Sequence, residues 1–169
     1  MKKIAKFEKV SYEQFASAYA GTSVTAEEIQ SIYNDICLPA RATTGSAGYD
    51  FFCPSDLTLG PGETVTIATG IRVWMEEDWV LKLYPRSGLG FKFRLQLNNT
   101  VGIIDSDYYH SDNEGHIFAK ITNDTNEDKT VVLKKGDGFM QGIFVEYGIT
   151  VDDEVSALRN GGLGSTTRQ

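Results

Sequence analysis

From Leu38 onward the chain is cut into short strand-like runs by turn residues, with no helical pattern alternating between one run and the next. Thr64-Val-Thr-Ile-Ala68 and Ile71-Arg-Val-Trp74 alternate apolar with polar residues, the period-two pattern of a strand with one buried face. Trp79–Tyr84, His116–Ile121 and Thr130–Leu133 are further strand candidates. Leu59-Gly-Pro-Gly62, Asn98-Asn99 and Lys134-Lys-Gly-Asp-Gly138 separate them as turns. Parallel strands need a crossover of a dozen or more residues, usually a helix, so a doubly wound sheet is not expected. The pattern points to an all-β sandwich, barrel or jelly roll.

The first 36 residues follow a different grammar. Ser11-Tyr-Glu-Gln14 and Thr25-Ala-Glu-Glu28 both have capping-box spacing, in which a hydroxyl and a reaching-back side chain satisfy free amides at a helix start. Phe15, Ala18 and Tyr19 follow the first, and Ile29, Ile32, Tyr33 and Ile36 the second, at helical spacing. Two short helices are expected, over about 11–20 and 25–34, with Gly21 as a stop between them. The expected organisation is a helical extension over 1–36, a β domain over 37–155 and an arm over 156–169. The arm, ending Arg159-Asn-Gly-Gly-Leu-Gly-Ser-Thr-Thr-Arg-Gln169, is too glycine-rich to hold itself folded without a ligand or partner.

At 169 residues the chain suits one domain with its own core. Cys37 and Cys53 are its only cysteines, too few for a disulfide scaffold, and no Cys/His zinc site is expected of them and the two histidines. No leader-like or membrane-spanning apolar run is visible, so a cytoplasmic protein is expected, without a membrane partner. A net charge of −7 argues against a surface for nucleic-acid backbone, though not against a small anion met by a few donors and a divalent cation.

Weaker signals give way on inspection. Asp124-Thr-Asn-Glu-Asp128 starts like a calcium loop, but Lys129 stands in place of the turn glycine and Lys135 in place of the closing glutamate. His110, Asp112, Glu114 and His116 read as a polar loop before a metal cluster. The phosphate-binding Gly-x-x-x-x-Gly-Lys motif and the Gly-x-Ser-x-Gly elbow are both missing.

The chemistry-bearing segments combine glycine with a charged or hydroxyl side chain. They are Ala47-Gly-Tyr-Asp50, Pro85-Arg-Ser-Gly-Leu-Gly90, Val101-Gly-Ile-Ile-Asp-Ser-Asp-Tyr108, Gly136-Asp-Gly-Phe-Met-Gln141 and the arm. Arg86 and Arg159 offer forked donors to phosphate oxygens. Ser87, Gly88 and the residues from Gly161 to Ser165 offer amides and hydroxyls that can wrap an anion. Asp50, Asp105 and Asp107 offer carboxylates to a cation's water shell or for proton abstraction.

Together and in this order, these segments resemble the five motifs of the homotrimeric dUTPase family. The resemblance runs from about Leu38 to the end, and Pro85-Arg-Ser-Gly88, Gly102-Ile-Ile-Asp-Ser-Asp-Tyr108 and Arg159-x-Gly-Gly-x-Gly-Ser-Thr166 are its most specific parts. It implies an all-β, jelly-roll-like (β-clip) subunit, here with two N-terminal helices, and a homotrimer whose active sites draw residues from more than one subunit. It implies hydrolysis of dUTP to dUMP and pyrophosphate with Mg²⁺, serving dTTP precursor supply and keeping uracil out of DNA. Asp105 matches the general base, and Asp50 the aspartate that holds the metal's waters. Arg86, Ser87, Gly88 and Gln141 match phosphate contacts. Asn99, Gly102, Ile104 and Tyr108 match the hairpin that selects uracil and deoxyribose. Arg159, Gly162, Leu163, Gly164, Ser165 and Thr166 match the closing arm.

Three positions depart from the family pattern. Leu163 replaces the phenylalanine that stacks on uracil, Thr167 stands where glycine is common, and Tyr109-His-Ser-Asp-Asn-Glu-Gly115 is longer than the usual Arg-Gly-Glu. Two other functions compete: a dCTP deaminase-type enzyme of the same superfamily, and a non-enzymatic regulatory protein using a nucleotide-binding fold.

Overall fold

The computed structural model describes residues 1–157, 159 and 161. The expected arm residues Gly162, Leu163, Gly164, Ser165 and Thr166 lie outside the described residues. The elements are β1 (Ala5–Lys9), α1 (Tyr12–Ser17), α2 (Ala26–Asn34), β2 (Tyr49–Phe52), β3 (Leu57–Leu59), β4 (Thr64–Ala68), β5 (Ile71–Met75) and β6 (Trp79–Pro85). They continue with α3 (Ser87–Phe93), β7 (Leu95–Leu97), β8 (Gly102–Ile104), a 3₁₀ turn (Ser106–His110), β9 (Phe118–Asn123), β10 (Val131–Leu133) and β11 (Gly138–Glu146). The fold is all-β and jelly-roll-like. Every strand pair is antiparallel, in the sheets β2-β11-β6-β8 and β4-β9-β7 and the two-stranded ribbons β1-β5 and β3-β10.

The core lies between these sheets, and Phe51, Leu81, Ile117, Ile121, Val131, Phe139 and Met140 are each at most 1% exposed within it. The expected strands all form, with boundary shifts of a residue or two. The longest strand, β11, was read only as a glycine-bearing site segment. It pairs on both edges and needs its glycines for close approach: a Cβ on Gly142 would stand 2.8 Å from Leu81 Cδ1 and 3.2 Å from Phe51 Cε2.

The N-terminal segment joins the same core through Val10, Phe15, Ile29 and Ile36. Helix α2 has the full capping box expected of it, Thr25 and Glu28 bonding each other's backbone amides. Helix α1 is half of one. Ser11 Oγ accepts from the Gln14 amide, but the Ser11 amide is bonded by Glu114 at 2.7 Å instead of by Gln14. Helix α1 also ends at Ser17, earlier than expected. Ahead of both helices lies β1, which sequence reading missed because charges occupy three of its five positions, Lys6, Glu8 and Lys9. Lys6 and Arg72 neutralise Glu8, while Phe7 packs against Tyr49, Phe51 and Phe144.

Candidate active site

The expected site residues fall into two groups. The first gathers where β2, β11 and β6 run side by side. Asp50 on β2 faces Gln141 on β11, which faces Tyr84 on β6. Asp50 Oδ1 lies 3.2 Å from Arg86 Nε, and Arg86 Nη1 donates to the Gly138 carbonyl at 3.4 Å. Gln141 Nε2 donates to the Pro85 carbonyl at 3.4 Å. Two glycines leave room for these side chains: a Cβ on Gly48 would stand 2.6 Å from Gln141 Oε1, and one on Gly138 2.7 Å from Arg86 Nη1.

Arg86 is the N-cap of α3, a helix that the sequence does not lead one to expect. Ser87 and Gly88 are its first two residues and both are exposed, and their amides have no partner inside the helix. The group therefore presents one carboxylate, one guanidinium, one amide side chain and a short run of backbone N–H donors.

The second group lies beyond β8. Asn99 occupies the connection between β7 and β8, where Thr100 has a φ of 67° and its amide donates to the Leu97 carbonyl at 2.8 Å. Gly102, Ile104, Asp105, Tyr108, Asn99 and Arg159 line a cleft of about 100 Å³. Asn99 and Gly102 also line an adjoining apolar cleft of about 350 Å³ between the two large sheets, floored by Leu83, Leu97 and Phe118. The combined space is on the scale of small-molecule sites, roughly 300–1,000 Å³.

Asp105 caps the 3₁₀ turn and stays partly exposed. Its carboxylate and that of Asp107 both receive Arg159, the latter through Nε at 2.8 Å. Tyr108 is buried, with its hydroxyl donating to the His116 carbonyl at 2.8 Å and accepting from Asn113 Nδ2 at 2.8 Å. Burial raises its pKa above the ordinary phenol value, so the ring is neutral throughout the physiological range.

A single chain holds these two groups apart. On β6, Ile104 of β8 lies opposite Leu81, whereas Asp50 is level with Tyr84 two strands further across. Three strand spacings sideways and about four residues lengthwise put Asp105 and Asp50 about 20 Å apart. A triphosphate held at Asp50, Arg86 and Gln141 is therefore out of reach of the Asp105 of the same chain.

Sequence reasoning missed Asn113, which donates to the Tyr108 hydroxyl, and the bonds from the N-terminal Ser11 to Glu114 beside it. The only trace of them was the capping-box spacing at Ser11 and the length of the 109–115 loop. His110, Asp112, Glu114 and His116 do not converge: among the described residues, no group of three or more His, Cys, Asp or Glu is placed to hold a metal ion. Cys53 is buried, and that burial pushes its thiol up to about 11, as expected of an inert cysteine. No helix among the described residues is long and apolar enough to cross a membrane.

The dUTPase family model matches residues 34–167. Deoxyuridine 5'-triphosphate nucleotidohydrolase of Lactococcus lactis is 42% identical over 78% of this chain and 88% of its own length. The crystal structure of dUTPase from Streptococcus mutans superposes with a TM-score of 0.62 at 36% identity, covering 85% of this chain and 97% of that one. A mutant dUTPase of Staphylococcus bacteriophage 80alpha with dUpNHpp reaches a TM-score of 0.63 over 94% of this chain and 100% of its own, at 20% identity, a likeness of fold. The extent of the family match and the identity to the Lactococcus enzyme show that this chain belongs to the dUTPase family.

Proposed function

We propose that this enzyme hydrolyses dUTP to dUMP and pyrophosphate by in-line attack of a water on the α-phosphorus, with Asp105 as general base. The observation that carries this reading is the position of Asp105, a partly exposed carboxylate on the rim of a cleft lined by Asn99, Gly102, Ile104 and Tyr108. Asp105 takes the proton of the attacking water, and the bond from the α-phosphorus to the bridging oxygen breaks as pyrophosphate leaves. A base of this kind contributes about 10²- to 10⁴-fold. The rest of the acceleration comes from holding the triphosphate in line and stabilising its charge.

Asp105 must first part from Arg159. In this reading the phosphate oxygens supply the competing partner, drawing the guanidinium away as the arm closes with Gly162, Leu163, Gly164, Ser165 and Thr166. Arg86, Gln141 and the amides of Ser87 and Gly88 take the phosphate chain. Asn99, Gly102 and Ile104 form the base-selecting slot, and Tyr108 closes the sugar side against a 2′-hydroxyl.

The donor set fits Mg²⁺. One carboxylate, Asp50, is available without a protein cage around it, which suits an ion that keeps most of its waters and takes its remaining ligands from phosphates. Asp50 would hold such a water, and the ion would offset the phosphate charge in a protein that is itself negative. Because Asp50 and Asp105 are about 20 Å apart in one chain by strand spacing, a complete site needs a second copy, in keeping with a homotrimer that shares its sites.

Pyrophosphate release from dUTP, set against dTTP, dCTP and UTP with and without Mg²⁺, tests the reading. Fast release from dUTP alone is expected, with Asp105→Asn losing most turnover while still binding nucleotide. Ammonia release from dCTP, or full activity in Asp105→Asn, would overturn it.

A further inference from the structure

The 109–115 loop and the N-terminal segment, both outside the common family pattern, are bonded to each other around Tyr108. Glu114 has a left-handed backbone, φ 58°, and Gly115 follows at φ 72°. This conformation is uncommon for a residue with a side chain and needs something to hold it. The Glu114 carboxylate accepts from Ser11 Oγ at 2.6 Å and from the Ser11 amide at 2.7 Å, in place of the bond that Gln14 would have made in a full capping box. Ser11 is itself fixed as the cap of α1, beside the buried Val10, whose amide donates to the Gly70 carbonyl at 3.0 Å.

The return of the loop then lies directly on Tyr108. A Cβ on Gly115 would stand 2.8 Å from the Tyr108 carbonyl oxygen and 2.8 Å from Tyr109 Cα. Asn113, next to Glu114, accepts from the Gly115 amide at 3.2 Å and donates to the Tyr108 hydroxyl at 2.8 Å. On the other side of Tyr108, the Tyr109 hydroxyl donates to Glu8 of β1 at 2.6 Å, and the Arg72 guanidinium lies 3.9 Å from the Tyr109 ring centre. The N-terminal segment thus grips the chain on both sides of Tyr108, at Glu8 and at Ser11. Both residues precede the family match, which begins at residue 34.

We infer that Ser11 and Glu114, acting through Asn113, are positioning residues that set Tyr108 for discrimination between deoxyribose and ribose, so that the N-terminal segment takes part in substrate selection. This rests on the reading of Tyr108 as the wall of the sugar pocket. A ring held at both its hydroxyl and its backbone cannot yield to a 2′-hydroxyl, whereas a ring freed on one side can.

The test uses the full chain and four proteins: wild type, Glu114→Gly, Ser11→Ala and Ser11→Thr. Glycine at 114 keeps the left-handed backbone easy while removing the carboxylate, and threonine at 11 keeps both donors. The readout is the ratio of kcat/KM for dUTP to that for UTP, with thermal unfolding alongside. Glu114→Gly is expected to lower the ratio about tenfold, the scale on which a loosened apolar pocket loses selectivity. Ser11→Ala should fall between it and wild type, and Ser11→Thr should recover the ratio. A lowered Tm with an unchanged ratio in Glu114→Gly and Ser11→Ala would make the link purely structural and overturn the inference. A second measurement is independent of turnover: the fluorotyrosine resonance of residue 108, assigned with Tyr108→Phe, should shift in Ser11→Ala. An unmoved resonance overturns the positioning link even if dUTP is hydrolysed; a wild type inert towards dUTP with the resonance shifted refutes the proposed activity instead.

Discussion

His116 should make the protein's stability fall between pH 7 and pH 5 by an amount that one substitution removes. The ring is fully buried, packed 4.2 Å centre to centre from Phe118 and 6.2 Å from Phe15. Its Nε2 accepts from the Gly70 amide at 2.9 Å, which requires that nitrogen to be unprotonated, and its Nδ1 has no partner among the described residues. Burial lowers its pKa from 6.5 to about 4, against a smaller opposing pull from Glu114. The sign follows from linkage. Between these two values the unfolded chain binds a proton that the folded chain refuses, so the stabilisation is complete above pH 6.5 and drains away as pH falls towards 4. The two pKa values give a loss of about 2 kcal/mol from pH 7 to pH 5, rising to about 3 kcal/mol at pH 4. Urea unfolding at both pH values, at one fixed protein concentration, measures the total, to which the carboxylates also contribute. His116→Gln keeps an acceptor for the Gly70 amide and cannot titrate, so its pH 7-to-5 loss should be smaller by about 2 kcal/mol. An equal pH dependence in the two proteins would refute the reasoning.

Two glycines separate fold from function. Gly70→Ala should cost about 2–4 kcal/mol in urea unfolding, since the added Cβ would sit 2.3 Å from Ile36 Cδ1 and 3.1 Å from Phe15 Cδ2 on a backbone with φ 69°. Gly48→Ala meets only the flexible end of Gln141, at 2.6 Å from Oε1. Its Tm should barely change while its KM for dUTP rises about tenfold, the cost of misplacing one hydrogen bond to a charged ligand.

The sheet was legible wherever one face of a strand is wet, because alternation then shows in the letters, as in Thr64–Ala68 and Ile71–Met75. It was illegible in β11, where two glycines and apolar residues on both faces leave no alternation to read. Gly138-Phe-Met-Gln-Gly-Ile-Phe-Val-Glu146 reads as a turn followed by an apolar run, yet it is the strand on which the four-stranded sheet is built. β1 was hidden by its charges, which find partners within the strand, as Lys6 does in Glu8, and far along the chain, as Glu8 does in Arg72. The break after Gln14 in the first capping box has the same origin. Ser11 had two acceptors to choose from, the Gln14 carboxamide and the Glu114 carboxylate, and the charged one, 103 residues downstream, took the amide.

The residue types of the candidate site could be read from sequence, but their spatial partition could not. Asp50, Arg86 and Gln141 converge because adjacent antiparallel strands bring distant motifs into register, a relation invisible until the pairing β2-β11-β6 is known. Asp105 and Tyr108 do not join them, because β8 pairs with the middle of β6 on the edge away from β11, and the chain leaves it towards the Trp79 end. On the proposed reading of Asp105 as base and of Asp50, Arg86 and Gln141 as phosphate anchors, a separation of about 20 Å in one chain would place the chemistry between assembled copies. Among the described residues, Arg159 is the partner of both Asp105 and Asp107. On that reading, a triphosphate seated between two copies would meet the anchors of one and the carboxylate of the other while offering Arg159 a rival partner, so assembly and binding together would free the base.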